Sequence, residues 1–235
     1  MTITVIIPTL NEASTIATTL RYTAQLGFDE IVVVDGGSSD QTRAIVNSLG
    51  SGTQDSLVSI VRLLTVAPGR APQLNAGAKA ARGDVLLFLH ADTRLPDCAK
   101  QHIESALADP VIGGGRFDVQ FDSPSVWGRM IGTLMNVRSG LTRISTGDQA
   151  MFVRRHVFER LGGFADIPIM EDVEFSSRLK RAGPTIALHD RVVTSFRRWE
   201  QQGPVRTILL MWTLRFLYWI GVSPHRLERF YAAVR

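Results

Sequence analysis

Residues Gly83 to Pro96 read GDVLLFLHADTRLP. Val85 to Leu89 form an unbroken apolar run, the pattern of a strand buried on both faces of a parallel sheet. The run stops on His90, Ala91, Asp92 and Thr93, so side chains suited to metal or phosphate emerge at the strand's carboxyl end. Open α/β sheets bind ligands along that edge. Asp92 therefore has two readings, a carboxylate for a hard cation that carries a diphosphate or a turn residue ahead of Pro96. The other strands of the chain bear on that choice.

Working outward toward the N-terminus, Ile3 to Ile7 is a β-branched strand ended by Pro8 and Thr9-Leu10-Asn11-Glu12. A helix is predicted over Ala13 to Leu26, with Ile16, Leu20 and Ala24 near one face and Asn11 or Ser14 as its cap. Glu30 to Val34 is a second buried strand, ending in Asp35-Gly36-Gly37-Ser38-Ser39-Asp40 before a helix over Gln41 to Leu49. A carboxylate at that turn suits a base or ribose edge, and the glycines let the backbone approach closely. Ser38 and Asp40 read as helix caps. Gly50 to Ser56 reads as a polar loop and Val58 to Leu64 as a strand. Pro68-Gly69-Arg70-Ala71-Pro72-Gln73 leads into a helix over Leu74 to Ala81, so Arg70 adjoins amide donors that already favour an anion. Asn75 and Lys79 lie one turn apart, within reach of a shared ligand. Up to Asp92 the pattern is βαβαβαβ, half of a doubly wound sheet. Neither GxGxxG nor GxxxxGK[ST] occurs, which argues against nicotinamide and P-loop sites.

The chain has 235 residues, 45% hydrophobic and 20% charged, enough for a full core and unlike a disordered segment. The net charge of +4 includes arginines mixed with aromatics after Arg178. That favours phosphate-bearing ligands or an anionic surface over nucleic acid. The lone cysteine, Cys98, excludes an intramolecular disulfide and fits a reducing, cytoplasmic compartment. MTITVIIPTLNE enters a strand directly, so no signal peptide is expected.

Beyond Pro96, a helix is predicted over Asp97 to Leu107 and a strand within Ile112 to Phe121, where Phe117, Val119 and Phe121 alternate. Ser125 to Leu141 reads as a helix plus a mobile loop over an acceptor, with Asn136 and Arg138 either substrate contacts or surface polar residues. Gly147-Asp148-Gln149 precedes an apolar strand, Ala150 to Val153. Val173 to Arg181 reads as a helix, placing Glu171 and Asp172 at its N-terminus, where the dipole keeps carboxylates ionised; plain N-capping is the alternative. Val205 to Val222 is marginal in apolar length for a bilayer and contains Arg215. Leu209, Trp212, Phe216 and Trp219 share a face, the mark of an amphipathic helix that packs on its own domain, on a second subunit, or in a membrane interface on the inner face. PHRLERFY (Pro224 to Tyr231) adds a basic-aromatic end.

Taken together, VIIPTLNE, VVVDGGSSDQT, GRAPQLNAGAKAARGDVLLFLHADT, GDQAMFVRR, LGGF, MEDVEF and RRW closely resemble the family 2 glycosyltransferases of the GT-A fold. The likeness runs over residues 2 to 200, and some details resemble a compact bacterial subfamily associated with radical-SAM or arsenosugar pathways. It implies a Rossmann-like, mostly parallel α/β sheet flanked by helices. Residues 1–96 would form the nucleotide-binding half, 97–200 the acceptor half, and 201–235 an amphipathic helical extension. It implies a nucleotide-diphosphate sugar as donor, a hydroxyl acceptor (lipid, metabolite or glycan) and Mg²⁺ or Mn²⁺. Pro8, Thr9, Glu12 and Asp35 would line the base and ribose, with Arg70 and Gln73 nearby.

Asp92 matches the last position of the family's DxD motif, while His90 replaces the first. His90 is then either a nitrogen ligand suited to Mn²⁺ or a buried, hydrogen-bonded histidine. His189 would be an optional third ligand or a surface residue. Asp172 would be the base of an inverting transfer, and Glu171 would position the loop or bind the acceptor. Asp148 and Gln149 would recognise hydroxyls. Arg197, Arg198 and Trp199 resemble the QxxRW element without its glutamine, since Ser195 stands three residues before Arg198. The rival readings are a nucleotidyltransferase, a phosphatase and a non-catalytic nucleotide-sugar binder or membrane scaffold. A haloacid-type phosphatase needs a second aspartate where Gly37 stands.

Overall fold

The computed structural model describes residues 1–51 and 60–232. Its strands join in a single eight-stranded sheet, ordered β3 (Val61–Thr65), β2 (Glu30–Asp35), β1 (Ile3–Thr9), β4 (Val85–Phe88), β7 (Phe152–Arg154), β6 (Gly114–Phe121), β8 (Thr185–Thr194) and β5 (Thr93–Arg94). β1 (Ile3–Thr9), β2 (Glu30–Asp35), β3 (Val61–Thr65) and β4 (Val85–Phe88) are all parallel. They alternate with α1 (Ile16–Gln25), α2 (Thr42–Ser51) and α3 (Arg70–Ala80). The expected loop over Gly50 to Ser56 and the start of the expected 58–64 strand lie largely outside the described residues.

Period-two alternation sorts the strand side chains into two cores. Ile3, Val5, Ile7, Ile31, Val33, Val85 and Leu87 pack with Ile16, Leu20 and Ile103 on one face. Ile6, Val32, Val34, Leu86 and Phe88 pack with Leu74, Phe158 and Phe175 on the other. Every residue of β2 is buried, which explains its unbroken apolar centre. Gly77 of α3 sits directly against Ile6, where no Cβ fits. α3 begins at Arg70, four residues earlier than expected, because Gly69 turns the chain with φ +140° and Pro72 needs no amide donor in a first turn.

The second half completes the sheet in mixed orientation. β5 (Thr93–Arg94) is followed by α4 (Ala99–Ala106), β6 (Gly114–Phe121), α5 (Val126–Thr142), β7 (Phe152–Arg154), α6 (Arg155–Arg160), α7 (Glu171–Ala182) and β8 (Thr185–Thr194). β7 runs antiparallel to β4 and β6, and β8 runs parallel to β6 through an irregularity at Phe117/Asp118. α5 is one continuous helix capped by Ser125, in place of the expected helix and loop. β8 has no counterpart among the sequence expectations, because His189-Asp190-Arg191 splits its apolar residues into two short stretches, Ile186–Leu188 and Val192–Val193.

α8 (Arg197–Gln202), α9 (Pro204–Trp219) and α10 (Pro224–Ala232) close the chain. α9 buries Thr207 and Leu214 and leaves Val205, Leu209, Trp212, Phe216 and Trp219 exposed. The shared face predicted from sequence therefore points outward. No helix among the described residues is long and apolar enough to cross a membrane.

Candidate active site

The strand order reverses between β1 and β4: from β1 the chain proceeds outward to β2 and β3, then returns to β4 on the other side. Such a switch point opens a crevice at the strands' carboxyl ends. That crevice is lined by Pro8, Arg70, Leu74, Phe88, Leu89, His90, Gly147, Met151, Phe164 and Asp172. Thus the ends of β1 and β4, the start of α3, the 147 turn and the start of α7 meet at one place.

On the β2 side, Asp35 is fully buried. Its Oδ1 accepts hydrogen bonds from the Gly37 and Ser38 amides at 3.0 and 2.9 Å, and Ser38 Oγ donates to Oδ2. Thr9 Oγ1 lies 3.5 Å from Asp35 Oδ2. Asn11, held at φ 56°, accepts from Ser39 N at 2.9 Å and donates its own amide to Ser38 Oγ at 2.9 Å. The Asp35 loop is thereby laced to the β1 loop. Asp40 caps α2 as expected, accepting from Thr42 N at 2.9 Å, whereas Ser38 serves Asp35 and Asn11. Neither Asn11 nor Ser14 caps α1, which starts after Thr15. Gln73 is buried, and its Nε2 donates to Thr9 O and Val34 O, both at 2.8 Å. It bridges the diverging β1 and β2 ends from inside.

Glu12, His90, Asp92 and Arg197 face a common space. Glu12 Oε2 lies 3.9 Å from Arg197 Nη2 and accepts from Thr15 Oγ1 at 2.9 Å. Burial pushes the Glu12 carboxyl upward and Asp92 adds to the push, while Thr15, Arg197 and His90 act the other way. His90 Nδ1 lies 3.2 Å from Asp148 Oδ1, and its buried Nε2 has no partner. Trp199 stacks on Phe196 and meets Phe121 edge-on, anchoring α8 beside β6. The Arg198 side chain lies outside the described ones. His189 is exposed and pairs with Asp118 at 3.2 Å; no described contact joins it to His90 or Asp92.

Glu171 and Asp172 open α7, after Met170 has turned the chain at φ 69°. Arg70 Nε lies 2.9 Å from Glu171 Oε1. Burial, with Asp172 beside it, pushes Glu171 up to about 7, against the pull of Arg70. Asp172 accepts from the Gly147 amide at 2.7 Å through Oδ2 and from Val173 N at 2.7 Å through Oδ1. A Cβ on Gly147 would fall on Arg70 and on the His90 ring, so only glycine lets the 147 turn approach both.

Three polar side chains named from sequence turn inward instead. Asn75 pairs with both backbone groups of Phe164, at 2.8 and 2.9 Å, and so holds the LGGF turn. Asn136 likewise pairs with Val119 N and O, at 2.8 and 2.9 Å. Gln149 is fully buried and donates to Ser139 Oγ at 2.8 Å, tying the 147 turn to α5. Each gives its amide to nearby backbone or to a buried hydroxyl, a use that sequence spacing does not reveal. The Arg70–Glu171 and His90–Asp148 pairs also escaped sequence reasoning, since their members lie 101 and 58 positions apart.

Residues 4–162 match the model of glycosyl transferase family 2. The chain belongs to that family. It is 27% identical over 216 residues to the probable glycosyltransferase YdaM of Bacillus subtilis, covering 85% of this chain and 50% of that protein. It is 31% identical over 186 residues to a PGL/p-HBAD biosynthesis glycosyltransferase of Mycobacterium tuberculosis, covering 74% and 68%. Among solved structures, it superposes on the mannosyltransferase PcManGT of Pyrobaculum calidifontis, in complex with GDP-Man and Mn²⁺, with TM-score 0.67 and 25% identity, covering 81% of this chain and 56% of that one. S. aureus TarS 1–349 with UDP-GlcNAc gives TM-score 0.66 at 19% identity, covering 83% and 58%, a likeness of fold. The chain therefore spans about half the length of YdaM and of PcManGT. The chain has the GT-A fold of that family.

Proposed function

We propose that the chain moves a sugar from a nucleotide-diphosphate donor to a hydroxyl acceptor with inversion, with Asp172 as general base and a divalent cation at Asp92. The observation that carries this reading is the crevice itself, which brings the diphosphate edge of the sheet, at Pro8, Arg70 and His90, against Asp172. Pro8, Thr9, Glu12 and Asp35 frame the nucleoside end, with Gln73 holding the strand ends from behind. Arg197, beside Glu12, belongs to the outer wall, and Trp199 anchors the helix that carries it.

The residues present fit a hard or borderline divalent cation. Asp92 supplies a carboxylate beside Glu12, and the unpartnered His90 Nε2 supplies a nitrogen. His189, exposed on β8, is left to its pairing with Asp118. When bound, such an ion neutralises charge on the departing diphosphate. The protein's own groups do the rest. The Gly147 and Val173 amides hold the Asp172 carboxylate, which takes the acceptor hydroxyl's proton as that oxygen attacks the anomeric carbon. The bond from that carbon to the donor phosphate breaks on the opposite side, and the nucleoside diphosphate leaves with the electron pair. Glu171, locked to Arg70, fixes the start of α7.

The exposed α9 stripe, flanked by exposed Arg206, Arg226 and Arg229, suits an anionic lipid surface and would bring a lipid acceptor to the crevice. Sedimentation with phosphatidylglycerol vesicles, using Trp212→Glu as control, tests that placement.

Calorimetry with UDP, GDP, dTDP and CDP, with and without Mn²⁺, tests the donor site. Tightening by Mn²⁺ for one nucleotide, lost in Asp92→Ala, is expected. Binding indifferent to Mn²⁺ would overturn the role of Asp92. No nucleotide binding would overturn the donor site as a whole.

A further inference from the structure

A second constellation of ligand-type side chains lies apart from the crevice. Cys98 and His102 stand four residues apart at the start of α4, which puts them on one helix face. Asp190 faces them from β8. His102 Nδ1 lies 2.5 Å from Asp190 Oδ2, and Cys98 Sγ lies 3.7 Å from Asp190 Oδ1. One ligand atom from each residue falls within 4.8 Å of the others. A thiol and an imidazole thus converge on the two oxygens of one carboxylate, and no lysine or arginine pairs with that carboxylate among the described residues.

We propose that Cys98, His102 and Asp190 bind a thiophilic divalent cation of the zinc type, at a site separate from Asp92. Sulfur, nitrogen and oxygen form a mixed donor set that zinc accepts and that magnesium and calcium do not. With zinc–sulfur near 2.3 Å and zinc–nitrogen or –oxygen near 2.0 Å, tetrahedral edges come to about 3.5 Å for S···O and about 3.3 Å for N···O. The 3.7 Å Sγ–Oδ1 separation already fits; a turn of the Asp190 carboxylate that aims Oδ1 alone at the ion would break the 2.5 Å contact of His102 Nδ1 with Oδ2 and free that nitrogen to bind. His102 and Asp190 are both about a third exposed, which leaves the fourth position to water and gives the ion a way in.

The ion would brace α4 against β8. Four residues beyond Asp190, Thr194 Oγ1 accepts a 2.8 Å hydrogen bond from Thr93 Oγ1, next to Asp92. The site is therefore a structural brace behind the segment that carries Asp92, and it does not touch the reacting groups.

Titration of the reduced full-length chain with Co²⁺, followed by displacement with Zn²⁺, tests the assignment. A thiolate-to-cobalt charge-transfer band saturating at one equivalent is expected, bleached by Zn²⁺ and unchanged in Asp92→Ala. It should vanish in Cys98→Ser. Zinc affinity should fall in His102→Ala and Asp190→Asn by at least the ~10- to 100-fold that loss of an outer-shell partner costs. Circular dichroism of metal-free Cys98→Ser checks its fold; if that variant does not fold, the His102 and Asp190 variants carry the test. Absence of the band in the wild type overturns the site. A band that survives His102→Ala and Asp190→Asn with unchanged affinity also overturns it, leaving a lone thiol that scavenges cobalt. The persistence of the band in Asp92→Ala separates this result from any failure of the donor site.

Discussion

Arg70, the first residue of α3, and Glu171, the first residue of α7, form a 2.9 Å ion pair across the crevice. Removing only the arginine leaves a buried carboxyl without its partner, to be left uncompensated or protonated. Arg70→Met should therefore destabilise the fold more than Arg70→Met combined with Glu171→Leu. Denaturant midpoints of the two variants measure the difference, expected at about 1–3 kcal/mol, the cost of a buried polar group left without its partner.

The same glutamate makes stability depend on pH. Burial, with Asp172 beside it, pushes its carboxyl up to about 7 in the folded chain, from 4.5 when unperturbed. Between those values the native state holds a proton that the unfolded state has released, so this group's contribution to stability is lost as pH rises. Glu171→Gln removes that slope. The variant should gain on the wild type between pH 5 and pH 8, by roughly 1–3 kcal/mol in urea denaturation. An unchanged difference would mean that Glu171 is ionised throughout.

Asp172→Asn keeps an oxygen for the Gly147 amide and loses the proposed proton acceptor. Turnover should fall by about 10²- to 10⁴-fold while donor affinity stays within about twofold. Single-turnover rates and calorimetry on the same preparation separate the two. Full turnover in this variant would place the base elsewhere.

Gly147→Ala should inactivate without unfolding. The added methyl strikes Arg70 and His90 at the rim of the crevice, and no buried strand residue is among its nearest neighbours. A displacement of about 1 Å in the positioning groups costs about 10²-fold in rate. The melting temperature should stay close to that of the wild type, which thermal unfolding checks.

Asn75→Ala should do the reverse. It strips both backbone partners from Phe164, so the LGGF turn loses its strap. A loss of about 1–3 kcal/mol is expected, read as a lower denaturant midpoint and faster amide exchange at 161–164. The nucleotide affinity per folded molecule should be retained.

Much of the architecture was legible because buried parallel strands write themselves as apolar runs. Ile31 to Val34 and Val85 to Leu89 have no solvent face, and the ends of both runs mark the ligand edge. β8 was not legible because its apolar residues are interrupted, although Val192 is buried in the core and Ile186 and Leu188 pack against it. Its residues 185–191 are half-buried or exposed, and the polar His189, Asp190 and Arg191 break the apolar pattern and hide the strand. At the site, the chain order of the acidic strand ends pointed to the crevice. Which amides face a ligand and which face the backbone depends on tertiary partners. Gln73, Asn75, Asn136 and Gln149 all look like surface recognition residues in sequence, yet each is taken up internally.

The strand reversal between β1 and β4 also has an evolutionary consequence. It gathers the crevice from short rims: the end of β1 at Pro8, His90 just past β4, the turn at Gly147 and the start of α7 at Asp172. A lineage can exchange those rims, and with them the sugar or the acceptor, while leaving the interior of the sheet unaltered. Divergence in this scaffold should therefore accumulate at the rims of the crevice, while residues such as Ile6 and Gly77, locked in mutual contact, drift slowly.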